Sequence, residues 1–484
     1  MLKRIGAEES GEFKAVASGT LPSGQPVIVN ADGTVSVVSE TVNTESVSSG
    51  VVFESASSGT PAIGYDTSND KVVIAYTDSG NSSYGTAVVG TVSGISISFG
   101  TPVVFESASE NRNRVVFDSS NNKILICYTD NGNSSYGTAI VGTVSGTSIS
   151  FGTASVFNSG STTNIAAGFD STANKTVIGY RDASDSSKGK AVVATISDTS
   201  VSFGSATQFN SGTTRNIAVV HDSNANKTVI AYEDVGNSGY GTAIVGTVSG
   251  TSISFGSEVV FESADCRDEQ ISYDPINQKV LIVFKLFSGF SGNGIVGTVS
   301  GTSISFGTKV VFHSGSTDVN KVVYDSAAQK HVILYRDQDP SPNHGRIKVA
   351  TISGTSVSYS DEFTWSTTNF SEPAITYDPD QGKVVIAYVD SNNSQYGTAR
   401  VYQTAYTEQN LTSENYIGMS KGGAVADTKG ATLDIIGAVN DEQSGLTPGQ
   451  QYFVQTDGTI GTTAATPSVL AGTAISATEL LVKT

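Results

Sequence analysis

Four aspartates open nearly the same words: Asp78 in "DSGNSSYGT", Asp130 in "DNGNSSYGT", Asp234 in "DVGNSGYGT" and Asp390 in "DSNNSQYGT". Such loops raise the question of calcium. A calcium loop of the EF-hand kind needs more carboxylates at alternating positions and an acid at its end. These loops have neither. The expected role is structural: the aspartate accepts backbone N–H bonds in a turn, and glycine takes the positive φ. No metal and no other cofactor is expected. The tyrosines that recur here (Tyr84, Tyr136, Tyr240, Tyr396) are read as packing between repeats.

Hydrolytic chemistry finds little support. The four histidines are His221, His313, His331 and His344. None sits in an HExxH or nucleophile-elbow setting. His331 falls in an apolar strand and reads as a core or rim residue. Sialidase-type chemistry needs an arginine cluster, a Tyr/Glu nucleophile pair and Asp-box repeats ending in Trp. The single tryptophan, Trp365, stands at a repeated core position instead. A carboxylate pair assembled across the fold is the one glycosidase arrangement left open. The chain is read as not an enzyme.

Binding has better candidates. Arg112, Arg114, Arg215 and Arg267 are rare positive charges in a chain of net charge −18. They suit an acidic glycan or a carboxylate. Phe287 and Phe290 stand in the glycine-rich "KLFSGFSGNG" and suit a sugar ring or a partner surface. His344 belongs to the loop "RDQDPSPNHG" and completes the candidate ligand-binding face.

These residues are positioned by a repeat. An aromatic recurs at Phe53, Phe105, Phe157, Phe209, Phe261, Phe312 and Trp365, near 52 residues apart. Each repeat holds four strand-like pieces, in the first "AIGYD" (62–66), "KVVIAYTD" (71–78), "GTAVVGTV" (85–92) and "ISISFG" (95–100). The second is a continuous apolar run, so both faces should be buried. The fourth alternates, so one face should meet water. Short turns imply antiparallel neighbours. Four antiparallel strands in about 52 residues match the blade of a β-propeller. The fold expected is all-β: a seven-bladed β-propeller inserted in a small β-domain formed by both termini.

The seventh repeat lacks its fourth strand. "TESVSSGVVF" (44–53) resembles the missing "GTSISFGTPVVF", so residues 44–50 should close blade seven. The propeller then spans 44–407, flanked by 1–43 and 408–484. "SGTLPSGQPVIVNADGTV" near the start resembles "SGLTPGQQYFVQTDGTI" near the end, each with an Asp-Gly hairpin signal. Comparison of the repeats shows where variation lies. The turn between third and fourth strands is nearly constant ("SGTS"). The segments leading from the fourth strand into the next repeat diverge, as do three loops between second and third strands. Both kinds lie on one face of a propeller, which marks that face for recognition.

Composition excludes other classes. The acidic balance disfavours nucleic acid and anionic lipid. No apolar run is long enough to span a membrane, and the N-terminus has no signal-peptide pattern. Cys127 replaces an alanine in an apolar strand, whereas Cys266 is read in a polar loop; no disulfide or CxxC metal site is expected.

"GNSSYGTAIVGTVSGTSISFG" and the C-terminal "SGLTPGQQYFVQTDGT…PSVLAGTAISATELLVK" together resemble virion structural proteins of marine tailed bacteriophages such as cyanophages. The resemblance implies a virion surface protein on the tail or capsid exterior, made in the infected host cytoplasm. Members are called tail fibre, tail-associated or capsid-decorating proteins. It implies a tail fibre or adhesin whose propeller meets host-surface polysaccharide or protein, with other virion proteins held by the terminal β-domain. Capsid decoration is the alternative, and a glycan-cleaving propeller the third. Tail fibres are commonly trimers, although no stalk pattern is present here.

Overall fold

The computed structural model describes residues 4–6, 11–339, 343–423 and 426–483; the loop residues 340–342 of the sixth repeat lie outside these. It divides into two compact units, Thr44–Thr404 and Met1–Asn43 with Ala405–Thr484. Both are built of antiparallel strands, with no α-helix among the described residues.

The first repeat of the larger unit shows how the sequence sets the sheet. Lys71–Asp78 is buried along almost its whole length. Its Val-Val-Ile-Ala-Tyr run covers both faces, so it must lie inside the sheet and between sheets. It pairs on one side with the end of Val51–Asp66 (Ile63 opposite Ile74) and on the other with Tyr84–Ser93 (Ile74 opposite Val88). The turn before it is fixed by Asp66, whose Oδ1 accepts from Ser68 N at 2.9 Å and Ser68 Oγ at 2.6 Å. Asp118, Asp170, Asp222, Asp274, Asp325 and Asp378 hold the equivalent turns. Such an Asx turn satisfies backbone donors that would otherwise be left bare at the strand end.

The outer position of the sheet is shared. Ser96–Phe99 pairs with one half of Tyr84–Ser93, and Val103 onward pairs with the other half. The strand Val103–Asp118 then continues, and from Glu110 it pairs with Lys123–Asp130 in the next sheet. Four of the segments expected as loops between repeats are therefore parts of continuous strands, and the other three are broken for only three residues each (211–213, 314–316 and 367–369). They read as loops because they are rich in Ser, Asn and Thr, yet backbone bonds to two successive sheets hold them extended. Cys266 is corrected for the same reason: it lies fully buried in Val259–Asp274 rather than in a polar loop. Both cysteines are free and buried.

Sheets meet through aromatic residues seated on glycine. A methyl group placed on Gly85 would lie 2.6 Å from the Phe105 ring. The same clash would arise between Gly137 and Phe157, Gly189 and Phe209, Gly241 and Phe261, Gly292 and Phe312, and Gly345 and Trp365. Gly397 stands in this relation to Phe53, which joins the last repeat to the first. Each ring also packs on the tyrosine or phenylalanine of a second strand, as Phe105 does on Tyr128 with centroids 5.3 Å apart. These second-strand tyrosines are fully buried, whereas Tyr84, Tyr136, Tyr240 and Tyr396 are half-buried. The apolar clusters are likewise shared between successive repeats. One contains Val73 and Ala75 with Ile124 and Ile126; another holds Phe53, Ile74 and Tyr76 with Val385, Ala387 and Val401.

Ser46–Val47 pairs antiparallel with Tyr396–Gln403, Val47 standing opposite Tyr402. Ser48 N donates to Val401 O at 2.8 Å, and Tyr402 Oη donates to Glu45 at 2.5 Å. The start of the larger unit thus supplies an edge strand to its end.

In the loops headed by Asp78, Asp130 and Asp234, the aspartate accepts from the backbone N–H three residues on, at 3.0, 3.0 and 3.2 Å. The positive φ falls on Ser82 and Ser83 and on Ser134 and Ser135 in the first two loops, and on Ser238 and Gly239 in the third. Gly80 and Gly132 are needed for room, since a Cβ there would strike Ala56 and Ala108 of the neighbouring strand.

The smaller unit has two main sheets. One runs through Glu12–Val16, Gly430–Ile435, Tyr416–Lys421, Pro26–Val29 and Val35–Val37, weaving both chain ends together. The other joins Val439–Asn440, Leu480–Val482, Leu470–Ala474, Gln451–Val454 and Ile460–Gly461. Both Asp-Gly turns form, with Gly33 at φ 82° and Gly458 at φ 86°.

Two stability outcomes follow. Gly137→Ala should cost about 1–3 kcal/mol in denaturant unfolding, and Gly137→Ala with Phe157→Ala should cost less than the two separate losses together. Deleting residues 44–50 should lower the melting temperature sharply, because Tyr396–Gln403 then loses its edge partner.

Candidate functional site

The first strand of every repeat carries a bulge, where register shifts between residues such as Gly59 and Ala62 or Asn111 and Arg114. One residue at each bulge adopts a left-handed backbone: Thr60, Arg112, Asn164, Asn216, Asp268, Val319 and Glu372. For non-glycine residues this conformation costs about 1–3 kcal/mol each. Its recurrence through a Thr, a Val and three charged residues shows that the tertiary structure imposes it. The consequence is a cavity of about 470 Å³ where the first strands converge.

Its chemistry is set two residues beyond each left-handed position, the ninth after the repeat aromatic. Four repeats place alanine there: Ala62, Ala166, Ala218 and Ala374. The other three place Arg114, Gln270 and Lys321. Arg114 keeps contact with the water of the cavity while protein walls surround it. Those walls push its pKa below the usual arginine range, and the charge of Arg112 adds to the effect. Burial and the charge of Arg114 lower Lys321 in the same way. Arg114 Nη1 donates to Asn113 O at 2.7 Å.

The seven residues singled out in the sequence do not form one site. Arg112 and Arg114 line the cavity. Arg267, Phe287 and Phe290 form a separate group. The Arg267 guanidinium lies 3.9 Å from the Phe287 ring centroid, a cation–π contact. Its Nε is 3.5 Å from Asp265 Oδ1. The two phenylalanines stand nearly perpendicular with centroids 5.7 Å apart, 43% and 42% exposed. Arg215 faces Glu233, Nη1 to Oε1 3.9 Å. Burial raises the pKa of Glu233, against the opposing pull of Arg215. His344 opens the strand His344–Ser353 opposite Asp337, half-buried and apart from the others.

Sequence reading missed Asp268, Gln270, Lys321 and Glu372 in the cavity wall. A signal for two of them was present: Gln270 and Lys321 break an alanine pattern at the ninth position. It also missed Arg181, whose Nη2 donates to Ser187 Oγ at 2.8 Å and whose pKa is lowered by burial, then by Arg215 and Arg112.

His313, Asp337 and Asp339 offer ligand atoms within 4.8 Å of one another, a grouping able to hold a cation. Arg346 already sits against Asp337 at 3.3 Å and against Glu362 at 3.1 Å, and Glu362 lies 3.3 Å from His313 Nδ1. Arg346 thus already offsets part of the negative charge around this group.

No family model and no curated protein matches the chain. Among solved structures, the BP39L lectin from Burkholderia pseudomallei is similar with a TM-score of 0.53 at 10% identity, over 74% of this chain and 98% of that one. A mutant of AofleA from Arthrobotrys oligospora gives a TM-score of 0.41 at 8% identity, over 70% and 93%. The first likeness is one of fold, and it fits a propeller.

Glu110, which precedes the cavity-lining Asn111, makes the fold sensitive to pH. It is fully buried where Thr162, Thr214 and Thr317 stand in other repeats. Asn113 Nδ2 donates to its Oε1 at 3.4 Å, while Oε2 has no partner. Burial pushes its pKa up to about 7, and Glu106 and Asp130 push the same way. A carboxyl raised on folding stabilises most below its unfolded range, and that contribution is lost as pH rises through 7. Glu110→Gln should therefore gain on the parent by on the order of 3 kcal/mol between pH 4 and pH 9, read by denaturant unfolding.

Proposed function

We propose that residues 44–404 form a closed, seven-bladed β-propeller that binds carbohydrate without cleaving it. The protein acts on the surface of a tailed-phage virion, as a tail fibre or adhesin meeting host polysaccharide, and its terminal unit attaches to other virion proteins. The closed ring is supported by Phe53 on Gly397 and by the shared cluster of first and last repeats. The virion setting is supported by the resemblance of the repeat and C-terminal wording.

Carbohydrate binding is carried by one observation: Phe287 and Phe290 stand exposed beside Arg267 and Asp265. A pyranose has C–H groups on its face and hydroxyls at its rim. Apolar ring area flanked by a guanidinium and a carboxylate complements both. The fold shared with a lectin is in keeping with this. A non-catalytic role is supported by the histidines. His331 is fully buried, 2.7 Å from Ser272 Oγ, and burial lowers its pKa to about 4. His221 lies 3.5 Å from Asp170 within the framework.

Purified protein should bind a subset of glycans on an array, or envelope polysaccharide from a host. Phe287→Ala with Phe290→Ala should weaken that binding at least about tenfold, since stacked rings anchor such contacts, with an unchanged melting temperature. Binding equal to the parent's, or release of reducing sugar, would overturn the reading. Gel densitometry of the virion tests its location: a few copies fit a fibre, and hundreds fit a capsid decoration.

A further inference from the structure

We infer that the cavity between the first strands is a second, independent binding site, and that it takes a small molecule bearing one carboxylate and several hydroxyls, such as a hexuronate. Its cations lack carboxylate partners. Among the described residues, no carboxylate lies in ion-pair range of Arg112, Arg114 or Lys321. Neighbouring cations are treated differently. Lys285 bridges Asp268 at 3.2 Å and Asp318 at 3.3 Å, and Arg336 is held by Asp318 at 2.5 Å. A chain with 45 acidic residues against 27 basic ones has ample carboxylates to neutralise such cations. Lys321 instead stands in the field of Arg114, and Arg114 in that of Arg112, which lowers the pKa of each. An anion between them removes that repulsion.

The wall selects the anion's type. Arg112, Arg114 and Lys321 face Asp268 and Glu372, which leaves one net positive charge. A single carboxylate matches it, whereas a phosphate dianion adds repulsion from the two acids. Asn164, Asn216 and Gln270 supply amide donors and acceptors to hydroxyls around the same space. About 470 Å³ is the size of a small-ligand pocket. Alanine at the equivalent position of four repeats shows that the fold itself does not require a cation there. The site does not rest on the Phe287 and Phe290 group.

Isothermal titration calorimetry of the full chain tests it, with glucuronate, glucose and glucose 6-phosphate as probes. Glucuronate should bind at one site per chain, more weakly as salt rises, and glucose should not bind. Arg114→Ala and Lys321→Ala each introduce the residue other repeats carry, so both should fold, and each should lose at least about tenfold in affinity. Phe287→Ala with Phe290→Ala should leave glucuronate binding intact. No heat with glucuronate, equal binding by both alanine variants with parent-like melting, or tighter binding of glucose 6-phosphate would each overturn the inference. Loss of glucuronate binding in the phenylalanine variant would assign it to the other site instead.

Discussion

An aromatic ring pressed against bare glycine backbone is the contact on which the larger unit depends. The second strand of each repeat is apolar on both faces and must be covered from both sides. A glycine at the start of the third strand, within Tyr-Gly-Thr in four of the seven repeats, opens a slot that the next phenylalanine or tryptophan of the series fills. That ring fixes where the crossing strand leaves one sheet for the next. Because burial and close packing both act there, even a single added methyl is felt. Placing Phe53 on Gly397 extends the same contact from the last repeat to the first.

The bulges follow from this arrangement. Once the strand has crossed to the next sheet, as at Glu110, its ladder with the second strand shifts register at one left-handed residue per repeat. The side chains beside that residue converge on the cavity. Identical backbone geometry thus carries different chemistry: alanine in four repeats, and arginine, glutamine or lysine in the others. The larger unit separates a repeated framework from a small set of positions that are free to change.

Much of the framework was legible from residues alone. The aromatic spacing, the apolar second strand and the half-exposed fourth strand all carry strong periodic signals, and the structure has them as antiparallel neighbours. The segments between repeats were not legible. Ser, Thr and Asn there suggest loops, and only the long-range partners, such as Val103 opposite Ala87, reveal strands. Cys266 was misplaced for that reason. The site was legible in part. Arg112 and Arg114 were picked for their charge, but their partner Lys321 lies four repeats away and comes near them only through folding. Arg267 was picked for its charge and Phe287 with Phe290 for their glycine-rich loop, and they meet in space because Phe287 N donates to Asp265 O at 2.8 Å, drawing the loop onto the crossing strand.

Hydrogen exchange of the backbone amides tests closure of the larger unit most directly, because an open array frays at its ends. The account predicts that Lys71–Asp78 and Lys383–Asp390, the second strands of the first and last repeats, exchange as slowly as Lys175–Asp182 in the middle. Exchange that quickens by orders of magnitude toward either end would contradict it.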